Sequence, residues 1–126
     1  MINMRTSLVC IIFSVILNAC ATEPTVSYQF DINPILKDNC LQCHVSPNGV
    51  GYLKTGLNMA TYETLMHGTI YGPVIVPGDS RRSILNMLVE GRAGNYMRMP
   101  HNKKDPLTEE EVEALKQWVN QDAKKN

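Results

Sequence analysis

Cys40-Leu41-Gln42-Cys43-His44 is the most informative segment of this chain. On a helical turn of about 3.6 residues, Cys40, Cys43 and His44 fall within an arc of roughly 100°. Both thiols can then reach the two vinyl groups along one edge of a porphyrin, while the imidazole binds the iron beneath the ring. The C-x-x-C-H string therefore predicts covalent attachment of one c-type haem, with His44 as the proximal iron ligand.

Three other interpretations of the cysteine pair are weaker. A thioredoxin-like redox pair would stand beside a βαβ pattern, which this sequence lacks. A structural zinc site would need two further ligands at finger spacing, and only His67 and His101 remain. A disulfide between Cys40 and Cys43 would suit an oxidising compartment, but it would leave His44 without a role.

The N-terminal residues have the pattern of an export signal. The apolar run over residues 8–17 is too short to span a bilayer as a helix and follows a segment that carries Arg5. Leu17-Asn18-Ala19-Cys20 resembles the lipobox of bacterial lipoproteins, which implies a lipid on Cys20; an ordinary cleaved signal is the alternative. Ala21 after the cysteine implies outer-membrane sorting. We therefore expect an exported protein, periplasm-facing or in the outer membrane.

These features divide the chain into a signal peptide (residues 1–19), a tether (20–27) and one domain (28–126). Without Arg5, eleven Lys and Arg residues stand against twelve Asp and Glu residues. Nucleic-acid binding needs a basic surface, so this balance argues against it. A domain of this size is only marginally stable by itself, and an internal cofactor would help to fill its core.

Hydrophobic periodicity and capping residues predict an all-α domain. Pro34 suits the first position of a helix that opens near Asn33 and leads into the haem motif. Residues 46–58 are predicted to form a long loop without an element of its own. Later helices are expected at 61–67 after the cap Thr61, at 81–90 after the cap Asp79 or Ser80, and after the capping box at Thr108, with Trp118 in the core.

Met99 is the first candidate for the second axial position, because a methionine sulfur is a soft ligand that raises the reduction potential. Pro100 would fix the loop that carries it and needs no backbone hydrogen bond. Met97 could replace Met99, and His101 would give a bis-histidine site of lower potential. His67 is a more remote alternative. The residues alone leave this choice open.

Several strings together resemble the planctomycete-type cytochromes, a group of small class I cytochrome c domains, over about residues 28–122. The matching strings are Asn33-Pro34-Ile35-Leu36, Cys40-Leu41-Gln42-Cys43-His44, Gly56-Leu57, Val76-Pro77-Gly78-Asp79-Ser80 with Ser83-Ile84-Leu85, Met99-Pro100, and Pro106-Leu107-Thr108. The resemblance implies a cytochrome c-like all-α fold around one haem. It implies thioether links at Cys40 and Cys43 and an axial pair of His44 and Met99. In the family a second proline often follows Met-Pro, whereas here His101 follows.

A haem with both axial positions filled predicts a one-electron carrier rather than an enzyme, with redox proteins as partners and the membrane reached through the lipid. The alternative is a haem-based gas sensor or a peroxidase-like protein with an open sixth iron position, where His101 or Arg98 would supply a distal polar group. A haem-free lipoprotein is a third reading. Candidates for contacts with the haem propionates are Arg92, Tyr96, Arg98 and Trp118.

Overall fold

The computed structural model describes residues 23–101 and 106–126. The predicted signal peptide, Cys20 and the first residues of the tether lie outside the described residues. In chain order the α-helices are α1 (Asn33–Asn39), α2 (Val50–Thr55), α3 (Tyr62–His67), α4 (Ile84–Val89) and α5 (Glu109–Asn120). The described residues contain no β-strand, only an isolated bridge between Thr69 and Gly72. The predicted all-α fold is confirmed.

None of the helices in the described ranges is both long enough and apolar enough to span a membrane.

A π-helical turn, Tyr28–Ile32, precedes α1 and was not predicted. Ser27 caps this turn with its hydroxyl, which accepts a hydrogen bond from the Phe30 amide at 3.3 Å. The predicted start of the α-helix near Asn33 is confirmed. Pro34 is the second residue of α1, in the first turn, where a missing N–H is tolerated.

Helix α2 corrects the prediction that residues 46–58 form a loop without an element. Gly49 and Gly51 lower the helix propensity of this stretch, so its residue pattern alone does not indicate a helix. The helix ends at Gly56, whose φ of 73° lies in the left-handed region that glycine adopts readily. Its first turn is held by hydrogen bonds to the haem motif, so tertiary contacts rather than local propensity form this helix.

Two predicted capping sites are confirmed. The Thr61 and Thr64 side chains cap α3 reciprocally, and Gly68 follows its last residue. At α5, the Thr108 hydroxyl accepts from the Glu111 amide at 3.2 Å and the Glu111 carboxylate accepts from the Thr108 amide at 2.8 Å. Such reciprocal bonds satisfy amides that have no partner within the helix.

Helix α4 begins three residues later than predicted. The predicted helix over residues 81–90 is Ile84–Val89 in the structure, with Ser83 as its N-cap residue. Asp79 instead organises the turn before the helix, since its carboxylate accepts from the Arg82 amide at 3.0 Å. Within this helix Ile84 is 47% exposed, whereas Asn86 is fully buried.

Trp118 lies at the centre of the core, as predicted, and is fully buried together with Leu115 and Val119 of the same helix face. Its indole N–H donates to the Lys124 carbonyl at 2.9 Å. Its ring lies 5.6 Å from the ring of Tyr28, between centroids. Helix α5 thus packs against the start of the first helical segment.

The C-terminal residue joins the two ends of the described chain. The Asn126 side chain accepts from the Tyr28 amide at 2.8 Å and donates to the Val26 carbonyl at 3.2 Å. The Asn126 main chain accepts from the Gln29 amide at 3.0 Å. These bonds hold the two ends of the described chain together and support the segment that leads into the haem motif.

Candidate functional site

The C-x-x-C-H residues form a compact turn at the end of α1. The Cys40 amide donates to the Leu36 carbonyl at 2.9 Å and closes the helix. The Cys43 and His44 amides then both donate to the Cys40 carbonyl, at 3.1 and 3.0 Å. Both cysteines and the histidine are half-buried. The three side chains therefore belong to one rigid turn, as the motif predicted.

The chain after the motif folds back onto the motif's own carbonyl groups. The Gly51 and Tyr52 amides both donate to the Cys43 carbonyl, at 2.8 and 3.0 Å. Further along, the Met59 amide donates to the His44 carbonyl at 2.8 Å. Because these bonds come from both ends of residues 51–59, this segment holds the histidine turn in place.

Gly51 lies directly against the His44 imidazole. A Cβ atom at Gly51 would stand 2.5 Å from Cε1, 2.8 Å from Nδ1 and 2.9 Å from Nε2 of the ring. Gly49 is equally restricted, because its Cβ would lie 2.4 Å from the Cys43 carbonyl oxygen. Both positions require glycine for space. The sequence shows these glycines but not this contact, so their role at the site was missed.

The surroundings of His44 favour a neutral imidazole. Burial lowers the pKa of His44, the Leu57 backbone opposes this effect, and His101 lowers the pKa further. Nδ1 is buried, and within the described residues no atom lies in hydrogen-bond geometry with it. The Leu57 backbone is nevertheless near enough to raise the pKa of the imidazole. An iron ligand must be neutral, and its second nitrogen usually has a partner that orients the ring.

Met99 belongs to a segment that is attached to α4. Its amide donates to the Leu88 carbonyl at 3.2 Å. The preceding Arg98 side chain packs over Gly91, where a Cβ would lie 3.3 Å from Arg98 Cδ. The Met99 side chain is half-buried and packs against the hydrophobic core.

The alternative ligands lie in more open positions. Met97 is 48% exposed, and His101 is exposed. His67 is exposed at the C-terminal end of α3. Burial thus distinguishes Met99 from the three residues that compete with it.

Two of the four candidates for propionate contacts have other partners. The Arg92 guanidinium donates to the Ser80 and Arg81 carbonyls at 3.1 and 3.0 Å and pairs with Glu90. The indole N–H of Trp118 is bonded within the core. Tyr96, at 93% exposed, and Arg98 keep side chains that reach the surface.

Asn86 on α4 is a residue that the sequence did not single out. Its side chain is fully buried, and neither amide atom has a hydrogen-bond partner within the described residues. Buried amides are ordinarily paired. The burial of Asn86 without a partner among the described residues is therefore a departure from the usual pattern.

The donor set fits a covalently attached haem better than the alternatives. Cys40 and Cys43 are not joined by a disulfide. The described ranges also contain no group of three or more His, Cys, Asp and Glu side chains that could hold a metal ion, as a zinc site would require. A single neutral imidazole beside two thiols suits haem, which supplies its own four equatorial ligands.

An all-helical domain with this attachment turn has the layout of a c-type cytochrome. A family model described as Planctomycete cytochrome C matches residues 40–102, from the first motif cysteine to just beyond Met99-Pro100. No curated protein and no solved structure matches the chain.

The chain belongs to the planctomycete cytochrome C family. It is therefore a haem-binding cytochrome, as the resemblance implied, although the matched stretch is shorter than residues 28–122. Membership in the family implies covalently bound haem c, for which Cys40 and Cys43 are present.

Proposed function

We propose that this cytochrome binds a single haem and carries one electron at a time between redox proteins at a membrane surface. The observation that carries the proposal is the His44 imidazole held against Gly51 on the attachment turn, with a lowered pKa. A ligand that is already neutral and fixed can stay in place while the iron changes its charge. Together with a second protein ligand that leaves no open position at the iron, such a site would suit electron transfer.

Cys40 and Cys43 would hold the haem through thioethers, and His44 would bind its iron. The haem supplies the chemistry, which is the gain or loss of one electron at iron. The protein's part is to keep His44 neutral and immobile. The amides of Gly51, Tyr52 and Met59 help to fix its position through their bonds to the carbonyls of Cys43 and His44, and burial lowers its pKa.

We assign Met99 as the second axial ligand. Two features of its surroundings support this assignment: the bond from its amide to Leu88 and the half-buried side chain that packs against the core. A methionine sulfur raises the potential and leaves no open position at the iron. Met97 and His101, being exposed, would have to move inward to take its place.

The location of the carrier is proposed from the sequence. The apolar run over residues 8–17 and the lipobox-like Leu17-Asn18-Ala19-Cys20 support export and a lipid on Cys20. Several acyl chains, as on bacterial lipoproteins, would anchor the domain stably at a periplasm-facing or outer membrane. A tether over residues 20–27 would keep it near membrane-bound redox partners.

The test is to express the chain with c-type haem maturation and to record oxidised and reduced visible spectra for wild type, Met99→Ala and Met97→Ala. We expect a weak long-wavelength methionine–iron band in wild type and in Met97→Ala, and its loss in Met99→Ala. Mass spectrometry of the loaded protein would count the haems, one being expected.

Other spectra would contradict the proposal in distinct ways. Loss of the band in Met97→Ala alone would move the ligand to Met97. A low-spin spectrum without the band, unchanged by either substitution, would indicate a histidine ligand such as His101. High-spin iron that binds carbon monoxide in wild type would favour a sensor or peroxidase-like site.

A further inference from the structure

Four large apolar side chains form an exposed surface beside the haem motif, which we call the α2 surface. Val50 and Leu53 of α2 are 54% and 70% exposed, and Ile70 and Tyr71 of the following turn are 72% and 84% exposed. Single exposed apolar residues are common on proteins, whereas grouped ones often mark interaction sites.

Helix α2 and the turn that carries Ile70 are joined to each other. The Ile70 amide donates at 2.9 Å to the carbonyl of Thr55, which is the last residue of α2. The Ile70 side chain also lies against Gly56, where a Cβ would stand 2.7 Å from Ile70 Cγ2. The exposed residues therefore belong to one continuous part of the molecule.

The α2 surface is unusually close to the iron ligand. Gly51 touches the His44 imidazole, and Leu53 stands two residues further along the same helix. Two residues correspond to about 200° around a helix, so Leu53 projects from the side opposite to the imidazole contact. The thickness of one short helix thus separates a bound partner from the iron-binding ring.

Charged side chains are nearly absent from this part of the chain. Lys54 is the one charged residue between positions 45 and 60, and none occurs between 68 and 78, although the chain has twelve basic and twelve acidic residues. The centres of protein interfaces are depleted in charge and enriched in aromatic residues such as Tyr71. A surface with so few charges favours an apolar partner, because most charged groups facing it would lose their water without compensation.

We propose that the α2 surface is a docking site for a redox protein that presents an apolar, uncharged contact face. This proposal rests on the electron-carrier function proposed above and adds the face through which electrons pass. The electron would leave or reach the iron on the His44 side, through the backbone of Gly51. Association would depend little on ionic strength, since it involves few charges.

The probe is a gold electrode covered with a methyl-terminated alkanethiol layer, which imitates an apolar contact face. The haem-loaded full chain is compared as wild type, Leu53→Lys, Ile70→Lys and the control Phe30→Lys. Phe30 is matched in exposure, at 75%, but lies on the π-helical turn before α1. All variants share the same N-terminal segment, so any adsorption through it is equal among them.

We expect Leu53→Lys and Ile70→Lys each to weaken productive adsorption at least about tenfold, because each removes an apolar anchor and inserts a charge. Phe30→Lys should match wild type, and all four proteins should keep one midpoint potential. Equal electron exchange by all four proteins would overturn the proposal.

Two further results would assign the α2 surface to another occupant and overturn the proposal. One is a wild-type dimer in sedimentation velocity that Leu53→Lys dissociates. The other is binding to phosphatidylethanolamine–phosphatidylglycerol vesicles that Leu53→Lys weakens and Phe30→Lys does not. Failure of the carrier function itself would be seen separately, as the absence of a reversible one-electron wave for wild type on bare graphite.

Discussion

Replacement of Gly51 by alanine tests whether the contact with His44 positions the iron ligand. The added Cβ would lie 2.5 Å from Cε1 of the imidazole, whereas carbon atoms in contact are ordinarily about 3.5–4.0 Å apart. At least about 1 Å of overlap must be relieved. Helix α2 has little freedom to retreat, because the Gly51 and Tyr52 amides both donate to the Cys43 carbonyl. We therefore expect the imidazole to turn.

A turned imidazole should weaken both the fold and the bond to iron. Overpacking of this kind costs about 1–3 kcal/mol, which corresponds to a fall of about 1 M in the urea midpoint of a small protein. The assay is urea unfolding of the haem-loaded protein, followed by haem absorbance, together with the spectrum at neutral pH. We expect the Gly51→Ala spectrum to gain a high-spin component.

Gly72→Ala is the control, because a Cβ at Gly72 meets no atom within 4 Å while its φ of 124° disfavours alanine. The control should lose about 1–3 kcal/mol to backbone strain and keep a low-spin spectrum. A Gly51→Ala protein with the wild-type spectrum and urea midpoint would refute the view that Gly51 holds the ligand. Instability of Gly51→Ala without a spectral change would reduce its role to packing.

Three further predictions concern the parts that support the site. Glu111→Ala should cost about 1–2 kcal/mol in urea unfolding, because it removes the α5 capping bond and a bond from Asn39 at the end of α1; the exposed Glu110→Ala is its control. Trp118→Ala should cost about 3–5 kcal/mol by the same assay, since the side chain is fully buried. Hydrogen bonds from the Arg82 amide and guanidinium lower the pKa of Asp79 below its ordinary value of 3.8. Asp79→Asn should therefore destabilise the protein at pH 6, and the difference from wild type should vanish as the pH falls through and below 3.8; a difference that persists in acid would contradict this origin.

Sequence-based prediction of the site worked best where a set of residues at a fixed spacing has few possible chemical uses. Two cysteines and a histidine on a single turn have few uses other than haem attachment, and the family match supports this reading. Capping residues were read correctly at Thr61 and Thr108 for a similar reason. A hydroxyl before an amphipathic helix satisfies amides that otherwise lack partners, whatever the rest of the fold does.

The prediction failed where distant contacts determine local structure. Helix α2 contains Gly51 and begins directly after Gly49, so its helix propensity is weak, yet the Cys43 carbonyl of the haem motif accepts hydrogen bonds from the Gly51 and Tyr52 amides and holds its first turn. The start of α4 was placed too early because Asp79 resembles a helix cap, whereas Ser83 takes that position. Neither the burial of Asn86 nor the contact of Gly51 with His44 follows from residue spacing. Both depend on how segments that are distant in sequence pack together.

The segment that leads into the haem motif is held by residues near the C-terminus as well as by its neighbours in sequence. Asn126 bonds to Tyr28 and Gln29 at the start of the first helical segment. Glu111 of α5 accepts from Asn39 at 3.2 Å, one residue before Cys40. Both ends of residues 28–39 are therefore fixed by the C-terminal quarter of the chain, and the motif continues directly from this braced segment. An electron carrier benefits from such bracing, because a ligand that does not move when iron changes its charge adds little to the barrier for electron transfer.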